Sequence, residues 1–272
     1  MRARRLATIG SVFGLALLLG VGCQALTQAE ASEALEEAEI AAQASALASS
    51  SVEISTSFTI GMAVEDAAME LRSFIESQLP CAAITVENAT LTVEYGANPG
   101  SCTYRGQTYG GVHQITVMRN EMNDVVVSHS WMDFHNETVT VSGSAMVTWS
   151  VADPSRHVVH ELTWTRLSDG RTGTGSGDRI QRPLEGGILT GFSEDGSRSW
   201  MGESGTYTLD IADVEMRWVD PVPQSGAYTL TTPADKVLSL GFDRADSNTI
   251  TVTITNGMRT YTFDVTTLPS EG

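Results

Sequence analysis

From residue 83 onward the chain repeats one pattern: a short run of alternating apolar and polar residues, then a cluster of turn formers. Alternation with period two places every second side chain on one face of a strand, whereas a helical face needs spacings of three and four. Ile84 and Val86 open the series, and Leu91, Val93 and Tyr95 continue it. Comparable runs occupy residues 113–119, 125–134, 138–141, 145–151, 157–167, 205–211, 214–219, 227–231, 237–242, 249–255 and 259–265. Turn signals stand at Asn98-Pro99-Gly100, Asp169-Gly170, Asp195-Gly196 and Asn256-Gly257. The last separates ITVTIT from MRTYTFDV and is the clearest hairpin in the chain. Many short strands joined by tight turns predict an antiparallel meander, and the lack of a strict repeat period argues against a propeller. The expected fold class is mainly β: a large curved antiparallel sheet, a meander of hairpins, with one packed N-terminal helix.

That helix is expected over residues 62–79. Ala63, Ala67, Leu71, Phe74 and Ile75 mark one face at helical spacing, Glu65, Asp66, Glu70 and Glu76 lie elsewhere, and Pro80 stops the run. Val52, Ile54, Phe58 and Ile60 read as a strand that opens a single β-rich domain over residues 51–272. Residues 24–50 are dominated by Ala, Glu, Gln and Ser without Gly or Pro, so helix propensity is high. Leu26, Ile40 and Leu47 share a seven-residue register there, but Glu33 interrupts it and little apolar surface is available for burial. Residues 23–50 therefore read as an Ala/Glu-rich, partly helical tether, with a partner-binding helix as the alternative.

The first residues carry an address. Arg2, Arg4 and Arg5 precede an apolar stretch over residues 6–21 that is too short and too broken by glycine to span a bilayer, which needs about 20 apolar residues. Charge, apolar run and small residues in that order are the layout of a signal peptide, here residues 1–22. The run ends Leu19-Gly20-Val21-Gly22-Cys23, which resembles a bacterial lipobox. That resemblance implies acylation of Cys23, with chains of the palmitate kind, and a membrane anchor at the new N-terminus. Gly20 stands where such motifs usually carry leucine, which leaves cleavage by an ordinary signal peptidase near Ala25 or Ala31 as the alternative. Gln24, by analogy with enteric lipoproteins, points to the outer membrane.

The net charge is −17, and loss of Arg2, Arg4 and Arg5 would take −17 to −20; the one lysine is Lys236. So acidic a body lacks the basic face that phosphate binding requires, which excludes nonspecific nucleic-acid binding. Anionic lipid would also repel it, so attachment to a membrane has to come from the anchor. With Cys23 assigned to the lipid, Cys81 and Cys102 remain as an even pair in an exported chain and read as a disulfide.

No catalytic residue, cofactor or metal site is assigned. The best metal candidates are His129, Asp133 and His135, which with Trp131 share one face of a continuous strand and are sensible ligands for a transition metal. Polar residues on an exposed sheet face look the same. His157 and His160 fall on opposite faces, and no HExxH motif is present. Gly173, Gly175 and Gly177 alternate with Thr174 and Ser176 without forming a nucleotide loop or a nucleophile elbow, and read as a small-residue strand. Asp243, Asp246 and Asn248 cluster in a turn but lack the ligand order of an EF-hand.

The helix ending FIESQLPC, the segment ITVENATLTVEYG with its following cysteine, and the closing pair VLSLGFD and TITVTITNGMRTYTF carry a resemblance. Over roughly residues 60–266 the chain resembles uncharacterised β-rich lipoproteins of Gram-negative bacteria. The resemblance implies fold and address and carries no activity. Function is thus expected to be that of a non-enzymatic binding or structural module of the cell envelope, partnered by a membrane through its anchor and by a protein or apolar ligand. The alternatives are a carrier that holds an apolar ligand between helix and sheet, and a hydrolase.

Overall fold

The computed structural model describes residues 26–56, 63–104, 107–150, 152–187, 190–217, 219–257 and 259–267. The expected signal peptide, Cys23, Gln24 and Ala25, and also Phe58, Ile60, Met62 and Trp218, lie outside these. Two helices come first, α1 (Gln28–Ile54) and α2 (Val64–Gln78). Strands β1 (Ala83–Glu87), β2 (Thr90–Tyr95), β3 (Thr103–Tyr104), β4 (Gln107–Thr108), β5 (Gly110–Arg119), β6 (Val125–His135) and β7 (Val139–Trp149) follow. Then come β8 (Arg156–Arg166), β9 (Thr172–Pro183), β10 (Gly191–Gly202), β11 (Gly205–Arg217), β12 (Ser225–Thr231), β13 (Val237–Asp246), β14 (Thr249–Asn256) and β15 (Arg259–Thr266). Thirteen of them form one open sheet in the order β1-β2-β5 and then sequentially to β15, while β3 and β4 pair separately. Neighbouring strands are antiparallel throughout. This is the meander expected from the alternation, with both helices packed on one face, called the inner face below.

Three expected breaks are not breaks. Asp195-Gly196, expected to be a turn, lies inside β10 opposite the bulge in β11, where the pairing shifts between Glu194 and Gly196. The expected strands at 205–211 and 214–219 are one strand, β11, with a bulge between Ala212 and Glu215. Those at 138–141 and 145–151 are likewise joined in β7. A bulge adds one residue, so the inward parity changes without the strand ending. At the bulges of β6 and β11 the chemistry is explicit. Asp133 in β6 takes φ +49° and faces Gly111 at φ +86°, where a Cβ would stand 2.1 Å from the Asp133 carbonyl oxygen. Asp213 and Gly226 repeat the arrangement at +49° and +87°, with 2.2 Å to the Asp213 oxygen. Only a residue without Cβ fits opposite such a bulge.

α1 corrects the tether. The helix runs through the expected boundary at 50/51 and takes up Val52 and Ile54, which therefore do not start a strand. Thr27 caps it in a reciprocal capping box with Glu30. Leu26, Ile40, Leu47 and Ile54, the seven-residue register, are all buried, and Ala34, Ala41, Ala44, Ala48 and Ser51 between them let the backbone approach the sheet. The interrupting Glu33 lies on the same line and accepts hydrogen bonds from Ser204 Oγ and Tyr207 Oη. Ion pairs fix the rest: Glu30 with Lys236 at 2.7 Å, Glu36 with Arg166 and Arg171, Glu37 with Arg171, and Glu53 with Arg156. Leu26 is tied to the sheet by Asn256, which accepts from its N–H at 2.8 Å and donates to its carbonyl at 3.0 Å. No described helix is long and apolar enough to cross a membrane.

α2 buries Ala67, Ala68, Leu71 and Ile75, close to the expected face. Beyond its end Cys81 and Cys102 stand at disulfide distance, with Cα atoms 5.3 Å apart, well inside the window of roughly 4.4–6.8 Å. A bond closing this loop should stabilise by about 3 kcal/mol. Reduction is expected to lower the urea midpoint accordingly, and unreduced peptide maps should show the two linked. Two free thiols in the unreduced protein would contradict it.

Candidate functional site

The inner face of the middle strands is not a uniform apolar surface. On β8 the inward residues are Arg156, Val158, His160, Leu162 and Trp164. On β9 they are paired with Gln181, Arg179, Gly177, Gly175 and Gly173. The glycines make room for rings from β8: a Cβ on Gly173 or Gly175 would meet the Trp164 indole at 2.7 or 2.9 Å, and one on Gly177 would meet the His160 imidazole at 2.4 Å. The small-residue strand expected here is correct, and its physical reason is the large side chains on the neighbouring strand.

Lying over this face, α1 fills only part of the space. Ala42, Ala46, Ser49, Ser50 and Glu53, spaced three and four apart, form one wall of a chamber of about 360 Å³. Trp131, Val158, Leu162, Phe192, Met216 and Tyr228 give it an apolar floor. Ala42 and Ala46 are exposed, so the chamber opens along that flank of the helix.

A polar chain crosses the floor. Glu53 binds Arg156, whose Nε donates to Gln181 Oε1 at 2.6 Å. Gln181 Nε2 donates to Glu194, which also accepts from Arg179 Nη1 at 3.2 Å and lies 3.8 Å from Arg198. Arg179 Nη2 lies 3.4 Å from His160 Nδ1. Three guanidinium groups thus meet two carboxylates on the chamber wall. Burial pushes the Arg179 guanidinium down to about 10, with Arg198 adding to the effect and Glu194 opposing it. Burial would raise Glu194, but Arg179 and Arg198 outweigh it and hold the carboxyl below its ordinary range. Burial, then Arg179 and Arg198, push His160 down to about 3, so it is neutral. Arg156 Nη1, Arg179 Nε and Arg198 Nε are buried with no hydrogen-bond partner. Buried charged donors without acceptors are costly and rare, and call for an explanation.

The expected metal face is divided by the bulge in β6. His129 and Trp131 point inward and are buried, whereas Asp133 and His135, beyond the shift between Trp131 and Phe134, are exposed on the other face. A continuous strand would have kept them together; the extra residue moves the last two across the sheet. His129 is bonded instead to His113 on β5, Nδ1 to Nε2 at 3.0 Å, and His113 Nδ1 lies 3.5 Å from the Tyr95 hydroxyl. Burial pushes both imidazoles down, His129 to about 3 with Arg156 contributing, and His113 well below its ordinary value with His129 contributing. His157 points outward onto Asp178, opposite to His160 as expected. Asp246 accepts the Asn248 N–H at 2.8 Å within its turn. Among the described residues no three His, Cys, Asp or Glu side chains are grouped to hold a metal.

Sequence reasoning did not single out Arg156, Gln181, Arg179, Glu194 and Arg198. One signal was available: in RHVVHELTW, Arg156 and His160 are in phase with Val158, Leu162 and Trp164, so a charge shares the buried face. Comparison with family models, with curated proteins and with solved structures finds no match for this chain.

Proposed function

We propose that this chain is a non-enzymatic lipoprotein of the cell envelope that carries an apolar ligand between α1 and the inner face of the sheet. The observation that carries the reading is the chamber of about 360 Å³ under α1, with its largely apolar floor. Pockets for small ligands run from roughly 300 to 1,000 Å³ and combine apolar walls with a few placed polar groups. A purely structural module would fill this space with side chains. The buried histidines supply no support for a hydrolase, since His113 and His129 bond each other and His160 faces Arg179.

The address rests on the layout of residues 1–23. With a lipid on Cys23, two residues separate the anchor from Leu26, which Asn256 binds. Three Cα-to-Cα steps reach about 10 Å at full extension, so the end of the sheet carrying the β14–β15 turn would sit close to the bilayer, with no long tether. Replacing Cys23 with Ser is expected to move the protein into soluble fractions or leave it unprocessed. Unchanged detergent partitioning of the variant would overturn the anchor.

The carrier reading is tested by titrating the purified protein with a neutral apolar fluorescent dye. Saturable binding is expected, and Ser49→Trp, which fills the chamber from the half-buried flank of α1, should abolish it while the circular dichroism spectrum is kept. Equal dye binding by a folded Ser49→Trp variant would contradict the site.

A further inference from the structure

We infer that the ligand is a single-chain amphiphile with an anionic head group, seated with its head on Arg156, Arg179 and Arg198 and its chain over Met216 and Tyr228. This rests on the carrier reading and adds the chemical class of the ligand.

An apolar cargo alone needs no charge on the chamber wall, and burying guanidinium groups is costly unless each is paired. Here Arg156 and Arg179 are almost wholly buried, and Arg198 is only about one-fifth exposed. Their carboxylate partners, Glu53 and Glu194, are fewer than the three cations. One positive charge is left over, because His160 is held neutral by burial and by the two arginines beside it. One donor on each arginine has no acceptor and is closed off from solvent, so the excess of positive charge, rather than these atoms, calls for an anion. An anion entering the chamber would balance the charge and accept charge-assisted hydrogen bonds from a rigid guanidinium fork, the geometry that suits a carboxylate or a phosphate. A cationic or neutral head would not. The rest of the lining sets the other end of the ligand. Phe192, Met216 and Tyr228 form an apolar floor beside the arginines, and Tyr228 stacks edge-on with Phe242, 5.7 Å between ring centroids, toward the later strands. The volume of about 360 Å³ suits one acyl chain rather than a two-chain lipid.

The test is competition against the bound dye by a chain-matched series: hexadecanoate, hexadecyl phosphate, hexadecanol and hexadecyltrimethylammonium. At least one of the two anions is expected to bind about tenfold or more tightly than the alcohol, and the cation more weakly than the alcohol. Which anion binds better separates a free carboxylate from a phosphate-headed lipid as the source, and either result supports the inference. Arg198→Gln, at the least buried of the three arginines, should remove most of the anion's advantage over the alcohol. If Arg198→Gln fails to fold, the head-group series on the unaltered protein still decides. Equal affinity for anion, alcohol and cation would overturn the inference while leaving the carrier reading intact. No displacement by any member, with no saturable dye binding, would overturn the carrier reading itself.

Discussion

Replacing Trp131 with alanine is expected to cost about 3–5 kcal/mol of unfolding free energy. The indole is buried and sits where three parts of the molecule meet. It stacks on His129 at 5.8 Å and 9°, on His113 at 5.4 Å and 23°, and on Phe134 at 6.5 Å and 27°. Its Nε1–H donates to Ser51 Oγ at 2.9 Å, a direct bond between β6 and α1. Alanine would remove the ring, leave a cavity next to the chamber and break that bond together. Trp131→Phe keeps most of the packing and loses only the donor, so about 1 kcal/mol is expected. Urea denaturation measures both. A loss below about 1 kcal/mol for the alanine variant would mean that α1 is not held down at this point.

Acid is expected to destabilise the fold well before the carboxylates titrate. His113, His129 and His160 have folded values below the ordinary 6.5, His129 and His160 at about 3. The unfolded chain therefore binds more protons than the folded one as pH falls from about 6.5 toward 3. Stability from these groups is fully present above 6.5 and is lost as pH drops through that window. Each histidine contributes up to about 1.4 kcal/mol per pH unit, so at about pH 5 each would have removed on the order of 2 kcal/mol. Burial is the chief reason protonation is refused, with Arg156 adding at His129, Arg179 and Arg198 at His160, and His129 at His113. Carboxylates such as Glu30 and Asp169, held at about 2 by their hydrogen bonds to Lys236 and Arg166, act only lower down. The unfolding free energy should fall steeply between about pH 6.5 and 5, and His160→Gln should flatten the curve. A curve level to about pH 4.5 would show that these rings carry protons in the folded state.

The sheet was legible because alternation is local. Residues 113–119 or 249–255 state their own parity, and Asn256-Gly257 its own turn, without reference to the rest of the chain. Bulges were misread because one added residue interrupts alternation as a turn does, as between Ala212 and Glu215 in β11, and Asp195-Gly196, which has the chemistry of a turn, lies opposite that bulge. The same effect produced the metal candidates: His129 and His135 share a face only if no residue is inserted between them. α1 was missed for a different reason. Its apolar register is sparse, and little burial was expected from so many Ala and Ser residues. Those residues dock because their small side chains let the α1 backbone approach β7 and β8, a fit between segments far apart in sequence that no local pattern expresses. The arginine chain is hidden similarly. Its members come from β8, β9, β10 and α1 and meet only through strand pairing.

The central claim, a ligand held between α1 and the sheet, is tested most directly by native mass spectrometry of the full chain purified gently from its cells. The expected result is a species heavier than the covalent chain by one small amphiphile, which organic extraction removes and which Ser49→Trp, still folded, does not carry. A chain seen only at its covalent mass, in both the parent and the variant, together with no uptake of apolar dye, would contradict the account.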